Sequence, residues 1–200
     1  MSDSEHSYTQ EAVSLVGGNH NLERENRTLR VFISALRDLT EAVEESGEPD
    51  VIKLLDSLLE SALHMTNTKD GSLLAMDDDA NELVFAAVRG EVEVPLGWRR
   101  IPSGKGIVGW VVQNRRSTIV NDPREDERFY DDLDVMFKFR TNSILAAPLI
   151  GGGKMLGVVE VVNGQDGQLF STGDQELLTL FCRLAGELLY STFRKTRDEG

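Results

Sequence analysis

Cysteine is nearly absent from this chain: Cys182 is the one thiol in 200 residues. It cannot close an internal disulfide or supply the paired thiolates of a zinc or redox site, and its place in an apolar helical stripe reads as a small core residue. Histidine is also scarce, at three residues. His6 and His20 fall in a polar N-terminal stretch and His64 stands alone near a helix end, so a metal or haem site lacks neighbouring ligands. No apolar run approaches the roughly 18 residues that span a bilayer, and the N-terminus lacks the apolar stretch of a signal peptide. The expectation is a cytoplasmic protein without membrane contact. Positive charge is also short: 21 Lys and Arg stand against 34 Asp and Glu, a formal charge of −13. That balance repels nucleic acid and anionic membranes, which need clustered cations to displace counterions. No Ser, His and Asp set or nucleophile motif occurs at recognisable spacing, so no enzymatic activity and no cofactor are expected.

What is present is a composition with 40% hydrophobic and 28% charged residues, which excludes disorder and suits one domain with an extra helix or two. Residues 1–20 are polar and aperiodic and read as a mobile tail. Over 21–46, Leu22, Leu29, Leu36 and Val43 recur every seven residues, with Phe32 and Leu39 between them. This is either an amphipathic helix lying on its own domain or one that pairs with a second subunit. After the break at Ser46-Gly47-Glu48-Pro49, the main domain is expected over 50–195.

That domain opens with a helix carrying Val51, Leu54, Leu55, Leu58, Leu59, Ala62 and Leu63 on one face. Strands are expected at Gly71–Met76, Glu82–Arg89, Trp98–Ile101 and Ser117–Val120, with a short helix from Ile107 to Asn114. Asn121–Lys138 reads as an acidic loop followed by a short helix. Apolar runs on both sides of Gly151-Gly152-Gly153 predict a buried hairpin whose second strand ends at Asn163. A last helix follows, about Gly173 to Lys195, with Leu177, Leu178, Phe181, Leu184, Ala185, Leu188, Leu189 and Phe193 in a wide stripe. Helices at both ends of a central antiparallel sheet give an α+β layered architecture.

Three stretches could carry binding chemistry. Ile101-Pro102-Ser103-Gly104-Lys105-Gly106 opens a helix whose free amides could hold an anion, or it is simply a tight strand-to-helix turn. Glu125 to Asp134 is rich in carboxylates, which solvation explains unless they share a defined geometry. Glu160 sits between Val159 and Val161. It needs a partner if it faces the core and none if it faces solvent.

The stretch Phe139–Glu176 resembles the closing half of a GAF domain, a small-ligand sensor module, in particular the GAF domains that regulate cyclic-nucleotide phosphodiesterases; the resemblance covers about residues 50 to 190, and its specific part lies between Arg100 and Leu178. That resemblance implies about six antiparallel strands, with the N- and C-terminal helices on one face and short lid helices on the other. It also implies a pocket formed by Ile107 and Val108 on the floor, Tyr130 and Asp134 from the lid, and Thr141 and Glu160. Asn163, Phe170 and Asp174 match the subfamily signature. Gly164 and Gln175 depart from it, so the family's Lys–Asp bridge cannot form in its usual way. Val88 and Arg89 stand where nucleotide-binding members place an aromatic residue and an Asp. Arg89 is therefore read as a ligand contact favouring an anionic group, and cyclic GMP is expected to bind weakly. The single cysteine separates the chain from the sulfoxide-reducing and bilin-binding branches. The resulting expectation is a homodimeric sensor that passes the state of a nucleotide-like ligand through its terminal helices to an output domain or partner. The alternative is a ligand-free GAF domain serving only as a dimerisation module.

Overall fold

The computed structural model describes residues 51–91 and 100–198, together with the helical Arg30, Ile33, Ser34 and Arg37. The tail over 1–20, the Leu22–Val43 seam and the expected strand start at Trp98 lie outside the described residues. Helix α1 (Val51–Thr66) buries Leu54, Leu58, Leu59, Ala62 and Leu63, the face its sequence period defines. Asn67, in the left-handed conformation at φ 52°, ends it.

Six strands follow: β1 (Thr68–Asp77), β2 (Glu82–Arg89), β3 (Arg100–Pro102), β4 (Thr118–Val120), β5 (Ile144–Gly151) and β6 (Lys154–Gly164). They form one antiparallel sheet in the order β3-β2-β1-β6-β5-β4. Between them lie α2 (Gly106–Asn114), a 3₁₀ turn at Pro123–Glu125 and α3 (Asp132–Phe137), and α4 (Thr172–Asp198) closes the domain. Strand β1 starts three residues earlier than its apolar pattern suggests, because polar Thr68 and Asp70 pair with Gly164 and Val162 at the end of β6.

Each face of the sheet has its own core. On one side α1 and α4 cover Leu73, Leu145, Val159 and Val161 with Leu58, Leu59, Leu178 and Phe181. On the other, α2 places Ile107, Val108 and Val111 against Leu74, Phe85, Ile144, Val158 and Val162. Strand alternation therefore puts Glu160, between Val159 and Val161, on the α2 face with Val158 and Val162. A bulge sits opposite Leu73 and Leu74, where the register skips Ala86. Ala86 and Ala87 both pack on the helical face, so Val88 returns to the α2 face and the Arg89 side chain turns toward α1.

The stripe on α4 is narrower than its sequence suggests. Leu178, Phe181, Ala185 and Leu189 are buried, whereas Leu184 is 42% exposed. The helix also touches the β5–β6 hairpin directly, since a Cβ on Gly151 would come within 2.0 Å of the Gly186 carbonyl oxygen.

Candidate ligand-binding chamber

The α2 face holds two cavities that share a wall. One, of about 60 Å³, is lined by Lys105, Ile107, Val108, Tyr130, Asp134, Thr141 and Glu160, among others. The other, of about 100 Å³, reaches Val88, Arg89 and Phe139, and Phe85, Leu133, Asp134, Thr141 and Glu160 border both. Six of the residues singled out in the sequence, Ile107, Val108, Tyr130, Asp134, Thr141 and Glu160, thus meet at one place.

Helix α2 begins at Gly106, whose φ of 74° suits a residue without a side chain, and no side chain caps its first turn. The amides of this turn have no intrahelical acceptor and lie at the floor of the smaller cavity. The Lys105 ammonium stands 3.8 Å from the centre of the Tyr130 ring and ties this turn to the lid segment.

The lid itself is latched. Buried Asp134 accepts from the Thr141 amide at 3.0 Å and from the Thr141 hydroxyl at 2.6 Å, and it pairs with the Arg124 guanidinium. Lys138, at φ 52°, ends α3 in the left-handed conformation, and its backbone N–H donates to the Asp134 carbonyl oxygen. The Tyr130 hydroxyl donates to Asp132.

Glu160 differs from its neighbours. Its carboxylate makes no hydrogen bond or ion pair with any described residue, although it borders both cavities. Burial, reinforced by the nearby Asp134 carboxylate, pushes its pKa up to about 7 from the ordinary 4.5. The chamber therefore offers backbone donors at one end and, at the other, a partly buried carboxylate with no partner among the described residues. Among the described residues no group of three or more His, Cys, Asp and Glu is placed to hold a metal ion.

Arg89 is placed differently from the other six. It borders the larger cavity, but its guanidinium is engaged on the opposite face by Asp56 of α1, at 3.1 and 2.6 Å, and by Glu60 at 3.0 Å. An anion preference in the chamber cannot be built on it. The bulge at Ala86 is the physical reason, and a two-residue alternation cannot foresee it.

The signature residues act as braces. Asn163, at φ 55°, accepts from the Asn142 amide at 2.7 Å and donates to the Arg140 carbonyl at 2.8 Å, which fixes the chain entering Thr141. Buried Phe170 is held at its backbone N–H and carbonyl by the Asn121 side chain, at 3.0 and 2.9 Å. Asp174 accepts from the Ser171 amide at 2.8 Å, while its own amide donates to the Ser171 hydroxyl at 3.3 Å. That is a capping box at the start of α4, so Asp174 has a helix-start role without the missing lysine. Sequence reading missed Phe85, Phe139, Leu133 and Arg124 in or around the chamber. The alternation of Leu83 with Phe85 along β2 was the available signal for the first.

A sheet layered by terminal helices on one face and a lidded chamber on the other defines a small-molecule sensor fold. The GAF domain family model matches residues 50–189, and the chain belongs to that family. It is 25% identical over 190 residues to the dual 3',5'-cyclic-AMP and -GMP phosphodiesterase 11A of Takifugu rubripes, covering 88% of this chain and 20% of that protein. To the human rod cGMP-specific 3',5'-cyclic phosphodiesterase subunit alpha it is 28% identical over 163 residues, 80% of this chain and 19% of that one. The chain thus spans about a fifth of the length of these relatives. Among solved structures, the GAF domain of a phosphoenolpyruvate-protein phosphotransferase from Coxiella burnetii superposes with a TM-score of 0.70 at 17% identity. That likeness covers 83% of this chain and 96% of the other and concerns the fold.

Proposed function

We propose that this GAF domain senses a small ring-bearing molecule with N–H donors, held between the α2 amides and Glu160 and covered by the Tyr130–Asp134 lid. The unpartnered Glu160 carboxylate carries this reading, because an acceptor in that position gains most from a ligand that donates to it. Phe85 and Phe139 line the larger cavity with Val88 and add apolar surface there, although no aromatic residue stands at position 88 itself. A nucleotide-like ligand suits both ends, with its anionic group at the helix start and its base edge at Glu160. Ligand entry would break the Asp134–Thr141 contacts and merge the two cavities. The shift would then pass to α1 and α4, to a second copy of the chain and to an output domain or partner in the cytoplasm.

One observation favours the second reading, a ligand-free dimerisation module. Cavities of about 60 and 100 Å³ are far below the roughly 300 Å³ at which small-molecule pockets begin. Native mass spectrometry of the purified protein, followed by calorimetry with cyclic GMP and cyclic AMP, separates the two. A copurifying small molecule, or saturable binding abolished by Glu160→Gln, supports the sensor. Repeated emptiness and no heat with either nucleotide leave the module. Weak binding of cyclic GMP is the expected result, since Val88 offers no ring at the position where a base would stack.

A further inference from the structure

A larger cleft, of about 880 Å³, shares no lining residue with the two lid-side cavities. It lies where the end of α2, the β5–β6 hairpin and the outer side of α4 meet, and it concentrates cations in a chain of net charge −13. Arg115 and Arg116 leave the end of α2 together, and Arg183 faces them from α4. Arg115 is in the left-handed conformation at φ 52°, with its amide on the Val111 carbonyl, which fixes the direction of the pair. One Arg115 nitrogen donates to the Gly153 carbonyl at 2.7 Å and leaves the rest of its fork open. Arg116 and Arg183 have no hydrogen-bond or ion-pair partner among the described residues. The single acidic residue lining the cleft, Glu187, accepts from the Gly152 amide at 3.1 Å.

Arg115, Arg116 and Arg183 are exposed around one cleft, and their planar forks match the oxygen geometry of phosphoryl and carboxylate groups. The same cleft is walled by Trp110 and carries the amide of Gln175 and the hydroxyl of Ser117, themselves linked at 3.1 Å. We infer that this cleft is a second ligand site, for a small multivalent oxyanion held by Arg115, Arg116 and Arg183. Trp110 gives it a physical link to the lid. Arg128, which pairs with Asp126 in the lid segment, lies over the Trp110 ring at 4.8 Å.

The test is calorimetry on the full chain at low ionic strength with inorganic pyrophosphate and, separately, with citrate. Saturable binding of either supports the site, and the tighter of the two identifies it as a phosphoryl or a polycarboxylate site. Replacing both Arg116 and Arg183 by Ala should weaken that binding by at least about tenfold, the scale expected for one lost charge-assisted hydrogen bond. Arg→Lys at both positions should fall between, because the charge remains and the fork is lost. No saturable heat with either anion at millimolar concentration, or binding of equal strength in the double Ala variant, would overturn the proposal.

Discussion

Among the described carboxylates, Glu160 departs furthest from its type. Its folded pKa, near 7, lies above the ordinary 4.5, so between these values the folded state holds a proton that the unfolded chain has released. The contribution is therefore unfavourable at high pH: absent below the unfolded value, growing through the window and complete above about 7. Glu160→Gln mimics the protonated form. It should match the parent near pH 4.5 and exceed it at pH 8 by on the order of 1–3 kcal/mol in urea unfolding. An equal difference at both pH values would mean that Glu160 ionises normally. Arg89 illustrates the limit of residue-level reading. Its charge was visible in the sequence, but its direction was not, because that direction depends on a bulge three residues earlier that no local pattern marks.

At the scale of elements, legibility follows burial. Strand β2 was readable end to end because Leu83, Phe85 and Ala87 alternate in burial with their neighbours, and β5 because its residues are buried almost throughout. The first residues of β1 are polar, and a pairing that spans the whole domain, with the end of β6, makes them strand. The chamber was legible in the same uneven way. Glu160, Asp134 and Thr141 stood out as polar groups amid apolar or motif-bearing sequence, whereas Phe85, Leu133 and Phe139 looked like ordinary core. Arg124 looked like surface, although it completes the Asp134 latch. The capping box at the start of α4 offers an element-scale test, for Asp174→Ala removes the acceptor of the Ser171 amide and hydroxyl. A loss of about 1 kcal/mol is expected, a melting temperature lower by about 2–4 °C. An unchanged melting temperature would show that α4 is held by its packing on β5 alone.

For the whole molecule, the apolar side chains left in solvent are informative. Ile52 on α1 and Leu180 and Leu184 on α4 are 63%, 47% and 42% exposed, on the helical layer that faces away from the lid. We propose that a second copy packs on this layer, which sets it at the rim of the arginine cleft, since Leu180 and Leu184 line that cleft as well. Light scattering at micromolar concentration should report a dimer, and Leu180→Glu with Leu184→Glu a folded monomer. A parent protein that is already monomeric would remove the dimer from the proposal and leave the chamber untouched.

The latch between Arg124, Asp134 and Thr141 has a consequence for dose response. On the proposed sensor reading, the closed latch keeps the two cavities apart, so that only the fraction of molecules with an open lid would accept a ligand. The concentration at half-saturation then equals the intrinsic dissociation constant divided by that fraction, and each about 1.4 kcal/mol of latch strength raises it tenfold. Arg124, 42% exposed and outside the lining of both cavities, thereby acts as a threshold setting: changing it would retune how much signal molecule is needed without altering a single contact to that molecule.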